Sequence, residues 1–342
     1  MSDLLAKDMA AFCSGLLPRI DAAYLDCVSD DLALLLAARD VSDIRTPFAQ
    51  DWRFDLVERE DELPRVDLPP ARQDDLLGQR TGWRPRWQPV TGAGTDLPQW
   101  QSELDSGSPV LLVGDAFHLP WLPYQGHEHM DHGFVLVALG TASEGRGDAA
   151  GGDLIAHIVD PYDNVTEWGT AKPLSTRLPV RDLDAALSGG RWAVLVPTAA
   201  SEPVRPAAQV AANAAAILAS ADEGLCQHFV ERHRQAGLAG AASMSLQTWL
   251  LARNRALHAM WLASLPSDVI APSTAERFHA EVCGGWQKAA EMAYVALRRV
   301  RSGRPAPPAA FAAVASAADA EAVLARSLST GAAGPTTARR RF

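Results

Sequence analysis

The stretch Gly114–Gly140, GDAFHLPWLPYQGHEHMDHGFVLVALG, constrains this chain more than any other. It carries four of the nine histidines, His118, His127, His129 and His132, and then turns into an apolar run, Phe134–Leu139. A short continuous apolar run bounded by turn residues predicts a buried strand. His132 then stands at the mouth of that strand. Two chemistries fit such a histidine. One is a zinc site built from the letters His-x-His-x-Asp-His. The other is a general base serving a nucleophile placed elsewhere in the chain.

Similar apolar runs recur. Pro109–Val113 (PVLLV), Leu154–Val159 (LIAHIV) and Arg191–Val196 (RWAVLV) join Phe134–Leu139 as predicted strands, with the turn segment EGRGDAAGGD between the second and third in chain order. Together they predict a mostly antiparallel sheet covered on at least one face. Helical periodicity precedes the sheet at Ser2–Leu17 and at Cys27–Arg39, the latter with Leu32, Leu35 and Leu36 on one face. A helix followed by a sheet makes the first part α+β. The polar stretch Asp51–Leu104, with WRPRWQP and TGAGTD read as turns, is expected to be irregular covering structure. Beyond Pro197, PTAASEPVRPAAQ reads as a linker, and strand signals cease. Alanine-rich helical segments are predicted at about 207–236, 243–265, 274–301 and 308–327, broken at Pro266, Pro272 and SGRPAPP. The expected organisation is thus a catalytic domain at 1–200, an all-α helical bundle at 201–328 and a disordered tail at 329–342.

At 342 residues the chain is long enough for two cores. A formal charge of −10 argues against broad binding of nucleic acid or anionic membranes. The four cysteines, Cys13, Cys27, Cys226 and Cys283, are far apart with no CxxC pair, so reduced thiols in a cytoplasmic setting are expected. The N-terminal MSDLLAKDMAAF lacks the basic region and apolar run of a signal peptide, and no membrane span is expected.

Cys27 is the candidate nucleophile. Asp26 is a plausible N-cap for the helix beginning at Cys27, with Ser29, Asp30 and Asp31 in its first turn. The positive end of a helix dipole is where a thiol becomes reactive. The competing reading is a small buried hydrophobe. A cysteine nucleophile needs a histidine to take its proton and a third group to hold the imidazole. The chain supplies these in order: Cys27, then His132 opening FVLVALG, then Asp160 closing LIAHIV and beginning DPYDN. The zinc alternative uses His127, His129, Asp131 and His132, whose letters match the metallo-β-lactamase superfamily motif. That motif follows a strand and precedes a helix, whereas here it follows a proline-rich loop and runs into a strand. It also needs a later histidine in a glycine-flanked turn, and His157 lies inside an apolar run instead.

DCVSDDLALLL, GDAFHLPW, the pair His129 and His132 running into a strand, and IVDPYDN resemble the butirosin-biosynthesis acyltransferase H (BtrH-like) family. That family is similar in turn to papain-like and C39-type peptidases. RNRALHAMWLA and GWQKAAEMAYVALRRV resemble the second domain of such proteins, so the likeness runs loosely over most of the chain. It implies a papain-like domain and an acyltransferase of specialised metabolism with Cys27, His132 and Asp160 as the catalytic triad. The donor would be an acyl or peptidyl carrier protein bearing a phosphopantetheine-linked thioester, or an aminoacyl-tRNA. The acceptor would be an amine or hydroxyl of a small molecule. No cofactor and no metal are implied, and a homodimer is compatible with the reading. Papain-type enzymes place a glutamine before the nucleophile for the oxyanion hole, but here the stretch reads IDAAYLD, leaving Tyr24 or backbone N–H groups. Asp115 and His129 are candidate acceptor-binding residues. A peptidase or amidase of the same fold is the alternative to transfer. Arg80, Arg84 and Arg86 are expected to form a basic patch suited to either donor.

Overall fold

The structure is a computed structural model that describes residues 2–20, 23–141, 154–198 and 205–331. It is mixed α and β, and the chain divides into two compact units. The first comprises Met1–Phe48 and Asp74–Ser201; the second comprises Ala49–Gln73 and Glu202–Phe342. The chain passes from the first unit to the second near residue 200, and residues 49–73 also belong to the second.

The first unit is built on six antiparallel strands: β1 (Trp83–Pro89), β2 (Val110–Asp115), β3 (Asp131–Thr141), β4 (Leu154–Asp160), β5 (Leu174–Pro179) and β6 (Arg191–Pro197). Their order across the sheet is β1-β6-β2-β3-β4-β5. The four runs read as strands in sequence are β2, β3, β4 and β6, the four interior positions. Val110–Val113 and Phe134–Val137 are buried without alternation, as a sheet covered on both faces requires. The two edge strands escaped the apolar criterion. WRPRWQP is β1, not a turn. Its prolines are tolerated because β1 pairs with β6 alone, leaving its other side without ladder bonds. LSTRLP is β5, a polar edge pairing only with β4. The rest of the stretch expected to be irregular contains the helices Pro70–Thr81 and Ala93–Asp105, the second starting inside TGAGTD. The turn segment EGRGDAAGGD lies outside the described residues.

Two helices cover the sheet, α1 (Ser2–Leu16) and α2 (Cys27–Ala37), both packing against β3. α2 is buried on every side from Ser29 to Ala37, not only along the leucine face. Asp30 and Asp31, in the first turn, are completely buried with it.

In the second unit the helices are Pro206–Asp222, Leu225–Gln235, Gly237–Ser264, Gly284–Arg301 and Pro308–Gly331, with short helical turns from Pro272 to Cys283. The last helix runs through the start of the expected tail; 332–342 lie outside the described residues. By length and composition Pro308–Ser329 could cross a membrane, with a mean hydropathy of 1.3. Its buried face carries Glu321, which pairs with Arg255 at 2.5 Å and accepts from the Trp52 indole at 2.8 Å. Arg255 also donates to the Arg53 carbonyl at 2.8 Å. This network, buried at Trp52, Arg255 and Glu321, gives the helix a polar tie within the second unit and explains why 49–73 go with the helices.

Breaking such a pair leaves an uncompensated buried charge. Arg255→Ala or Glu321→Ala should each cost about 3–5 kcal/mol in denaturant unfolding, and Arg255→Met combined with Glu321→Leu should cost less than either.

Candidate active site at the end of the sheet

β3 and β4 are antiparallel neighbours, so the start of one lies beside the end of the other. Val135 pairs with Val159, and Gly114 at the end of β2 pairs with His132. The topology therefore gathers His132, Asp160 and Asp115 at one end of the sheet.

Asp26 caps α2 by accepting from Ser29 N–H at 2.8 Å, which fixes Cys27 as the first helical residue. The half-buried thiol lies 3.8 Å from the carbonyl of Asp131 and accepts the N–H of Gly133. It thus rests against the peptide groups on either side of His132. His132 is fully buried, and its Nε2 lies 2.9 Å from Asp160 Oδ2. With the ring proton on Nε2, the remaining lone pair is on Nδ1. Nδ1 is buried and has no hydrogen-bond partner among the described residues, which leaves it open to take a proton.

Asp160 is itself held from two directions. Oδ2 accepts the Trp121 indole N–H at 2.7 Å, and Oδ1 accepts the Tyr162 backbone N–H at 2.9 Å. Tyr162 also sets its ring edge to face with His132 at 5.0 Å, and Asn164 donates to its hydroxyl at 2.7 Å. Burial pushes the Tyr162 hydroxyl well above the usual phenol range. Trp121 and Tyr162 thus orient the carboxylate and shield the imidazole. Neither role was read from the sequence, although both residues sit in its motifs, LPW and DPYDN.

The site is rich in acid. Burial pushes the Cys27 thiol well above its ordinary range, and Asp26, Asp31 and Asp160 add to this, against the opposing Gly133 N–H. These effects favour the neutral thiol over the thiolate at Cys27. Burial first, and then these carboxyl groups, oppose the lowering that a helix N-terminus gives a thiol.

Asp31 lies one turn after Cys27, and neither of its side-chain oxygens has a hydrogen-bond partner among the described residues. Burial, followed by Asp160, Asp30 and Asp26, raises its pKa well above the carboxylate range. It sits so close to β3 that a Cβ on Gly133 would collide with its Oδ2 and crowd the Cys27 carbonyl at 3.3 Å. Glycine at 133 is what lets the start of α2 pack this closely on the β3 backbone.

The other expected site residues fall into separate places. Tyr24 lies in the turn before α2, and its side chain has no hydrogen bond among the described residues. Asp115 and His129 are brought together, Oδ2 to Nδ1 at 2.6 Å. The HEHMDH letters are dispersed: His127 stacks on Trp168, Asp131 pairs with Arg191, and His132 faces Asp160. His157 bonds Ser175 at 2.8 Å. Of the expected basic patch, Arg80 donates to the Pro47 carbonyl at 3.1 Å and Arg86 pairs with Glu103 at 2.6 Å. Among the described residues, the donors that could hold a metal together are Asp115, His118 and His129, with one ligand atom of each within 4.8 Å of the others.

Two predictions follow from the charges. A carboxyl whose folded pKa is raised takes up a proton on folding, so its stabilising effect is complete at low pH and is lost as pH rises toward the folded value. Above pH ~4 this loss runs at about 1.4 kcal/mol per unit. Asp31→Asn should flatten that part of the stability profile, measured by denaturant unfolding from pH 4 to 8. Iodoacetamide labelling of resting Cys27 should keep rising beyond pH ~9, the usual thiol range, with no plateau in weak acid.

Neither family models nor curated proteins gave a match to this chain, so its chemistry is argued from this geometry.

Proposed function

We propose that the first unit is a papain-like cysteine acyltransferase, with Cys27 as nucleophile, His132 as general base and Asp160 as the group that orients the imidazole. The observation that supports this most is the His132 ring, bonded through Nε2 to an anchored carboxylate, with Nδ1 open and the Cys27 thiol seated against its flanking peptide groups.

In the first half-reaction His132 Nδ1 takes the thiol proton as the sulfur attacks the carbonyl carbon of a donor thioester or ester. The bond to the donor's leaving sulfur or oxygen breaks, and the imidazolium returns the proton to that atom. In the second, His132 takes a proton from an acceptor amine or hydroxyl as it attacks the acyl-Cys27 thioester, and the released thiolate is reprotonated. A neutral resting thiol fits this scheme, because deprotonation is coupled to attack. The tetrahedral oxyanion would be met by the Cys27 N–H, which has no partner within the first turn of α2, and by one further donor. Exchange between thioesters is nearly isoenergetic, which favours a carrier-bound thioester as donor. An aminoacyl-tRNA ester is the other donor of matching chemistry.

The test is turnover of an aminoacyl N-acetylcysteamine thioester by the full chain, with hydroxylamine as a generic amine acceptor. Protein-dependent hydroxamate should form and vanish in Cys27→Ala, and Asp160→Asn should slow it by about 10²–10⁴-fold. Free acid with no hydroxamate would make the protein a hydrolase. Undiminished transfer by Cys27→Ala would refute the assignment.

A further inference from the structure

One cluster at this end of the sheet is not used by the chemistry above. Asp115 closes β2, His118 ends the following helical turn Ala116–His118, and His129 lies two residues before β3. Asp115 is oriented by backbone groups: its Oδ1 accepts from Phe117 N–H at 3.0 Å and Met130 N–H at 3.3 Å. Oδ2 is thereby turned toward His129. The His129 ring lies flat on Phe117, centroids 4.1 Å apart and planes 9° from parallel. His118 packs edge to face against both rings, at 5.1 Å from Phe117 and 6.1 Å from His129. Phe117 therefore acts as a spacer that fixes the two imidazoles relative to each other. Among the described residues no lysine or arginine pairs with Asp115, and His129 is its side-chain partner beside the two backbone N–H groups.

We propose that Asp115, His118 and His129 bind one divalent transition metal of the zinc, cobalt and nickel class. Two imidazoles and one carboxylate are the donor set these borderline ions prefer. One potential ligand atom from each residue lies within 4.8 Å of the others. Bonds of about 2.0–2.2 Å bring ligand atoms to about 3 Å apart, which side-chain rotation achieves without moving the strands. The backbone N–H bonds to Asp115 and the Phe117 stack supply the outer support that such ligands need. His129 is 68% exposed, so water or another small ligand completes the coordination. The metal site takes one histidine from HEHMDH and recruits the other two ligands from GDAFH, which no spacing rule for that motif anticipates. It is independent of the acyl-transfer reading and does not include Cys27 or His132.

The test is titration of the chelator-treated full chain with Co²⁺, followed by visible absorption, with Zn²⁺ as competitor. One Co²⁺ per chain should bind and be displaced by Zn²⁺. His118→Ala, His129→Ala and Asp115→Asn should each weaken binding by more than about 100-fold, beyond what loss of a supporting residue causes. His127→Ala and Cys27→Ala should bind as wild type does. Circular dichroism checks each fold, and His118→Gln replaces His118→Ala if the latter does not fold. The proposal fails if no stoichiometric Co²⁺ binds, or if the His118 and His129 variants bind normally. It also fails if Cys27→Ala or His127→Ala abolishes binding.

Discussion

The His132–Asp160 hydrogen bond is the interaction on which the site's arrangement depends. It exists because β3 and β4 run antiparallel as neighbours, which brings a histidine three residues before one paired position beside an aspartate one residue after its partner. Buried as it is, the pair would be costly if incompletely bonded. Asp160 meets that demand with two further donors, the Trp121 indole and the Tyr162 N–H. Only His132 Nδ1 is left over, and it is the atom that a nucleophile's base needs free. The proposed role of His132 as a base rests on this unpartnered buried nitrogen.

The acidity of the surroundings gives the site a particular character. Many cysteine sites rest as a thiolate beside an imidazolium, stabilised by a helix dipole. Here Asp26, Asp31 and Asp160 stand around the sulfur, and burial adds to their effect. A thiol held in its protonated form resists alkylation and oxidation. Asp31 also fills the space that a glycine at 133 leaves open.

Much of this was legible in the sequence where physics is local. Asp26 as the cap, Cys27 as the first helical residue and the four interior strands all follow from short patterns of residue type. The edge strands did not, because Trp83–Pro89 and Leu174–Pro179 carry the prolines and polar residues that edges tolerate and interiors do not. Long-range choices were also hidden. Nothing local says that Trp121 reaches Asp160 across 39 positions, or that His118 and His129 share a neighbour in Phe117. The same holds for residues 49–73, whose allegiance is decided by Trp52 and Arg53 bonding the buried Arg255–Glu321 pair. The complete burial of Asp30 and Asp31 was not legible either, because their place in a first turn says nothing of what packs over it.

The central claim is that Cys27 carries the acyl group covalently. It is tested most directly by intact-protein mass after one brief exposure of the full chain to an aminoacyl thioester, followed by peptide mapping. The account predicts a single acyl adduct on Cys27 that disappears when an amine is added, with no adduct in Cys27→Ala. An adduct on another cysteine, or donor consumption by wild type and Cys27→Ala alike, would contradict it.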